Sequence, residues 1–191
     1  MNLRIRHIER VIAGILVCCS ALFTAPLLAQ SATADQVKAA YLFNFAKFIE
    51  WPAGVFDKAD APMRFCTLGR SPAADELDST VRGKSINGHT IQVKHLRGPE
   101  EIKGCHLVFL AVSASKQQQK LLQTAQGSPV LLVAETPGFA RAGGTIDFIW
   151  EDGRLLFEVN VNAAEGVHLK ISSKLLALAR IVLTAEEKQS Q

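Results

Sequence analysis

Apolar positions along residues 35–191 recur in two rhythms, steps of three or four residues and strand-like runs that alternate or stay continuous. In Asp35–Trp51, Val37, Ala40, Tyr41, Phe45 and Phe48 follow the first rhythm, and Leu42, Phe43 and Ile49 widen the apolar arc. The spacing predicts a helix stopped by Pro52 and Gly54. Its aromatics read most simply as core anchors, with ligand stacking by Trp51 as the lesser alternative. Arg64–Leu68 reads as a short strand ending at Gly69. Ser71 is placed to cap a helix through Leu77, with Pro72 in the first turn, where its missing N–H costs little. Asn87-Gly88 is a turn signal before Thr90–Val93, rich in β-branched residues. Cys105–Val112, apolar apart from His106, and Pro129–Ala134 read as buried strands. Between them Ser113–Ala125 is a polar helix with Leu121 and Leu122 inward. Thr145–Trp150 and Arg154–Asn160 flank Glu151-Asp152-Gly153, a strong hairpin signal. Asn162 is read as the cap of a helical turn at Ala163–Glu165, with Glu165 completing a capping box. A last helix is predicted over Ser172–Leu183, with Leu175, Leu176, Ala179 and Val182 as its stripe.

Strands alternating with helices predict an α/β fold: a single layered domain with a mixed, partly parallel β-sheet flanked by helices on both faces.

The first residues address location. Arg4, Arg6 and Arg10 precede an apolar run, Val11–Leu28, and Ala32-Thr33-Ala34 offers a small-x-small cleavage site. This order reads as a secretory signal peptide over 1–34, with a mature domain over 35–191 in the periplasm. An uncleaved anchor is the rival reading, for which the run is short and interrupted by Ser20, Thr24 and Pro26. Of 21 basic and 18 acidic side chains, three basic and one acidic lie in residues 1–34, which leaves 18 and 17 and a formal charge of +1. Nothing in that balance, and no basic stripe interleaved with aromatics, points to nucleic acid.

Catalytic and metal-binding patterns are thin. His89, His95, His106 and His168 are scattered. Cys105 and His106 are neighbours that face opposite sides of a strand and cannot easily share a metal. There is no Gly-x-Ser-x-Gly elbow and no phosphate-binding loop, so neither a cofactor nor a metal is expected. Glu151 and Asp152 read as solvated turn residues. Gly143-Gly144 reads as a loop with unusual backbone angles. Lys170 and Lys174 could meet an anionic partner or simply be solvated. Cys66 and Cys105 are the two thiols of the mature domain. A disulfide closing about 40 residues would stabilise the fold by roughly 4 kcal/mol on the chain-entropy estimate. Two separate buried thiols or a redox switch are the alternatives.

Four stretches resemble the YfiR family of small periplasmic regulatory proteins: Lys38–Trp51 (KAAYLFNFAKFIEW) with Pro52; Phe65-Cys66-Thr67-Leu68-Gly69; Cys105-His106 leading into Leu107–Leu110; and Phe157-Glu158-Val159-Asn160, followed by Ala163-Ala164 and Leu169–Val182 (LKISSKLLALARIV). Pro137-Gly138-Phe139 and Gly143-Gly144 also fit. The resemblance implies a binding protein and not an enzyme. In the best-known member the periplasmic protein restrains a membrane-bound diguanylate cyclase through its periplasmic sensory domain, and relief raises cyclic di-GMP and favours biofilm formation. Cys66 and Cys105 correspond to that member's first cysteine pair. This sequence has no cysteine after Cys105 to supply the second pair, so its bridge is expected to serve folding.

The partner implied is therefore an inner-membrane signalling protein, with a homodimer as a further association. The docking area is expected around Phe139, Arg141, Gly143 and Gly144, with Lys170 and Lys174 near the start of the last helix, because loops on a rigid sheet commonly bind. The alternative function is a small-ligand pocket bordered by Trp51 and Phe139.

Overall fold

In the computed structural model, which describes residues 33–183 apart from residue 59, the helical rhythm of residues 35–51 produces α1 (Ala34–Lys47). The apolar run 11–28 falls outside the described residues. Thr33 caps α1 reciprocally: the Gln36 N–H donates to the Thr33 hydroxyl, and the Thr33 N–H donates to the Gln36 side-chain oxygen. The helix therefore starts ahead of the expected domain boundary. It also stops before Trp51, because Ile49–Glu50 extend into a two-residue strand, β1.

A long strap leads to β2 (Met63–Leu68), then to α2 (Pro72–Val81), whose Ala74 N–H is capped by Ser71 as the sequence indicates. β3 (Ser85–Ile86) turns through Asn87-Gly88 into β4 (His89–Leu96). β5 (Leu107–Leu110) and β6 (Leu131–Ala134) enclose a 3-10 segment, Val112–Gln117, and α3 (Gln118–Thr124). β7 (Ile146–Glu151) and β8 (Arg154–Asn160) form the expected hairpin, with Asp152 and Gly153 at φ 50° and 72°, a turn whose twist matches the strands. α4 (Val161–Glu165), β9 (Lys170–Ile171), α5 (Ser173–Leu176) and β10 (Ile181–Leu183) complete the order.

Two expectations fail here. The cap of α4 is Asn160, not Asn162: its side-chain oxygen accepts from the Ala163 N–H at 2.9 Å. The last helix shrinks to α5, and its second half becomes β10. The apolar spacing there suits a helix, but the free edge of β8 offers the backbone a ladder. Arg180 N–H donates to the Phe157 carbonyl at 2.9 Å, and Ile181–Leu183 pair in parallel with Glu158–Asn160.

The main sheet has the order β10-β8-β7-β6-β5-β2-β4-β3. β2 is parallel to both β4 and β5, β6 is parallel to both β5 and β7, and the hairpin brings in the antiparallel pair β7-β8. From β2 the chain goes first to one side and then to the other, so the switch point lies between β2 and β5. β1 and β9 form a separate antiparallel ladder, Ile49 with Ile171 and Glu50 with Lys170.

Strand alternation divides the core into two layers. Phe65, Leu107, Phe109, Val133 and Phe148 meet Leu42, Phe45 and Ala46 of α1 and Leu77 of α2. Tyr41 and Phe45 approach Phe148 and Phe157 with ring centroids 4.9–6.0 Å apart, a mutual arrangement worth roughly 0.5–1.5 kcal/mol per pair beyond burial. On the other face Cys66, Leu68, Val108, Leu110 and Leu132 meet Leu121 of α3. There Cys66 and Cys105 are joined, with Cα atoms 6.0 Å apart. Helices thus cover both faces of a mixed sheet.

Candidate functional site

In open α/β sheets ligands enter the crevice outside the carboxyl ends of the strands, at the switch point. In this protein that crevice is filled by the chain itself. Gly69, at the end of β2, has φ +87° and lies so close to the loop after β5 that a Cβ would stand 2.6 Å from Ala114 Cβ and 2.8 Å from Ser113 Oγ. Ser113 Oγ accepts from the Arg70 N–H at 2.7 Å and donates to the Arg70 carbonyl at 2.8 Å. Glu135, after β6, accepts from the Val112 N–H at 3.0 Å and pairs with Lys38 Nζ at 2.8 Å, which also reaches Asp35 at 3.2 Å. An open hollow of about 350 Å³ remains on the β4 side, beside Arg70, Asp75 and His95.

The 136–144 loop follows the same logic. Asp147 is fully buried and accepts from the Gly138 N–H at 2.6 Å and the Ala140 N–H at 3.1 Å. Burial raises its pKa, while those backbone donors oppose the shift. Asn160 Nδ2 donates to the Ala140 carbonyl at 2.7 Å, and Arg141 clasps Glu158 through Nε and a terminal nitrogen at 3.1 and 3.2 Å. Phe139 corrects the sequence reading. It is fully buried in the second core layer and presents no face to a partner or a pocket. A Cβ on Gly144 would run into its ring, so the Phe139 side chain and that glycine are one packing unit. Arg141 and Gly143 stay exposed on the loop.

The amino ends of the strands are arranged differently. There Phe56, on the strap between β1 and β2, lies between two imidazoles, 3.7 Å from the His89 ring centroid and 4.5 Å from that of His106. His89 Nδ1 donates to the Ala61 carbonyl at 2.7 Å, since a carbonyl can only accept. His106 Nδ1 accepts from the Arg64 N–H at 3.0 Å, and the ring donates to the Val55 carbonyl. Burial, together with the charges of Arg64 and His89, pushes the His106 pKa down to about 4, against the Val55 carbonyl and Asp57. The sequence showed these histidines as scattered; only the parallel register of β4, β2 and β5 assembles them around the strap.

Two clefts flank Trp51. One of about 380 Å³ is lined by Gly54, Phe56, Met63, Asn87 and His89. The other, about 670 Å³, is lined by Glu50, Pro52, Glu165, His168, Leu169 and Lys170. Trp51 Nε1 is buried between them without a hydrogen-bond partner. His168 closes α4 at φ 60° in a Schellman arrangement, its N–H bonded to the Glu165 carbonyl and the Leu169 N–H to the Ala164 carbonyl, both at 2.9 Å. Glycine is the usual residue at that position. Lys170 thus borders the Trp51 cleft, and Lys174 is exposed on α5. Among the described residues no group of three or more His, Cys, Asp or Glu side chains could hold a metal ion. No helix among them is long and apolar enough to cross a membrane.

The family model described as YfiR/HmsC-like (DUF4154) matches residues 35–180. The chain belongs to this family. Membership gives general support to a binding and regulatory role and to a periplasmic location. Two solved structures share the fold. One is the ABC domain in complex with L-Trp from Streptococcus pneumonia, at 10% identity and TM-score 0.54, covering 78% of this chain and 60% of its own. The other is a conserved domain protein from Vibrio cholerae o1 biovar eltor str. n16961, at 8% identity and TM-score 0.56, covering 80% of this chain and 61% of its own. This YfiR/HmsC-like chain therefore spans about three-fifths of either. At such identities the likeness is one of fold alone.

Proposed function

We propose that this YfiR/HmsC-like protein is exported and docks on an inner-membrane signalling protein, a diguanylate cyclase by the family resemblance, which it restrains until release. Loss of the restraint would raise cyclic di-GMP and favour biofilm formation. The observation that carries the reading is the family match over residues 35–180. The filled switch-point crevice supports docking over turnover. Arg141 and Gly143, exposed on the loop latched by Asp147, belong to the proposed docking area, and Phe139 supports it from beneath. The test is deletion of the gene followed by measurement of cyclic di-GMP, with complementation by the secreted chain. A rise reversed by the secreted chain is expected. An unchanged level argues against a cyclase, and recovery by a chain lacking residues 1–34 argues against export.

A second reading is favoured by one observation, the unpaired indole N–H of Trp51 beside a cleft of about 670 Å³: the cleft holds a small ligand. Trp51 fluorescence, isolated in a Trp150→Phe variant and titrated with a low-molecular-mass envelope extract, tests it. A saturable change lost in His168→Ala supports the cleft, and a flat response excludes it.

A further inference from the structure

The hairpin of β7 and β8 outruns the rest of the sheet. β6 pairs with β7 only at Ile146 and Asp147, so among the described residues Phe148–Glu151 have a strand on one side alone. The two-residue turn makes Glu151 and Arg154 a hydrogen-bonded pair, and alternation then turns the backbone of Ile149 toward β8 and that of Phe148 and Trp150 outward. The bond from Arg180 N–H to the carbonyl of Phe157, which stands opposite Phe148, agrees with this phase. Phe148 is buried, so the open stretch of edge centres on Trp150, which is 56% exposed. Among the described residues no bond outside the sheet ladders reaches the Trp150 backbone.

The charge next to Trp150 is paired: the Arg180 guanidinium holds Glu151 at 2.7 and 3.3 Å. That ion pair leaves the acidic neighbour of Trp150 already neutralised. The edge also lacks the lysine, proline or bulge by which exposed strands usually avoid pairing.

We infer that the outer edge of β7 at Trp150 receives an extended, uncharged apolar segment of the partner protein, added as a strand beside the 136–144 loop. An extended backbone matches the spacing of these outward N–H and C=O groups, which water otherwise satisfies, and the exposed indole offers apolar anchoring of the kind that dominates interfaces. A second copy of this chain fits less well. The edge is about 13 Å long at the usual rise per residue, and a two-fold pair through it alone falls far short of the roughly 800 Å² per partner of a stable interface. A single segment needs no such area and can leave again, as a releasable restraint requires.

The inference rests on the docking reading, and the test separates the two. The full-length chain is produced in cells with p-benzoylphenylalanine at position 150 or, as a control on the exposed face of β4, at position 90. Expected is a membrane-protein adduct at position 150 mapping to an uncharged apolar stretch, with none at position 90. Trp150→Lys should cut the partner bound by the unlabelled chain at least tenfold with an unchanged melting temperature. Trp150→Thr, which keeps strand propensity, should lie between and covers the case in which the lysine variant fails to fold. An adduct at position 90 alone, or binding unaffected by both variants, overturns the edge and leaves docking intact. A self-adduct at position 150 replaces the partner with a second copy, and an adduct to a charged or helical segment overturns strand addition. No adduct at either position, with partner capture also absent from the unlabelled chain, overturns docking itself and this inference with it.

Discussion

The two ends of the parallel strands are packed differently. At the carboxyl ends Ser113, Glu135 and Lys38 satisfy one another and the neighbouring backbone, and Gly69 lets the loops close to contact. At the amino ends two imidazoles hold the strap through Phe56, clefts flank Trp51, an indole N–H is left unpaired and His168 holds a backbone conformation that costs an L-residue about 1–2 kcal/mol. The fold's customary ligand crevice has been converted into structure, while openness and strain lie at the other end. Among the described residues each end leaves one buried polar atom without a partner, Thr136 Oγ1 after β6 and Trp51 Nε1 on the strap, so the ends differ in how closely their loops pack and not in whether their polar groups are paired.

Cutting the bridge beneath the sealed crevice is the largest test of that contrast. Cys66 and Cys105 are 39 residues apart and tie β2 to the approach of β5. Replacing both with alanine should lower unfolding free energy by about 4 kcal/mol, read from urea unfolding of oxidised wild type and variant. A loss below about 1 kcal/mol would mean that the loop contacts alone hold the switch point.

A matched pair of glycines gives the next largest difference. Gly69 and Gly54 have similar φ, +87° and +83°, but only Gly69 has atoms within 4 Å of a built Cβ. Gly54→Ala should cost about 1–2 kcal/mol from backbone conformation. Gly69→Ala should cost about 1–3 kcal/mol more through overpacking. Equal melting temperatures for the two variants would remove the distinction between sealed and open ends.

At the open end the sign reverses. His168→Gly should stabilise the protein by up to about 1 kcal/mol, because glycine takes the left-handed position without a Cβ penalty, offset in part by its greater freedom when unfolded.

The remaining effect is silent at neutral pH. His106 titrates at about 4 in the folded chain against an ordinary 6.5. A lowered pKa on a base means that the unfolded state takes up the proton first. This contribution is therefore complete above about pH 6.5 and declines as pH falls toward 4. Protonation at Nδ1 also removes the acceptor for the Arg64 N–H. Hydrogen exchange should show the strap around Phe56 opening faster at pH 4.5 than at pH 7, with the Gly69–Ser113 edge still protected. Equal exchange of the strap at both values would detach His106 from its closure.

Legibility followed the range of the interaction. The 151–154 turn and the Ser71 cap depend on residues within a turn or two, and both formed where read; the first helix formed too, but it ends at Lys47 and buries Ala39 and Ala46 while Ala40 of the expected stripe is exposed. β10 was read as helix because Leu175, Leu176, Ala179 and Val182 suit both periods over so short a stretch, and only the edge of β8 decides between them. Phe139 was read as a loop aromatic available to partners; its packing partner Gly144 is five residues away, and only the folded loop brings the two together. Trp150 lay in a strand pattern indistinguishable from a paired one until the length of β6 was known.

By itself the sequence determined the alternation of strands and helices, the family to which the chain belongs and the pairing-competent cysteines. Each is written in local spacing or residue identity. Tertiary structure alone decided that the switch point is closed, that Phe139 is core, that two imidazoles distant in sequence clamp Phe56 of one strap and that β7 runs past its neighbour. Those outcomes depend on which strands lie side by side and in what register, and that information is held by contacts between segments far apart in the chain.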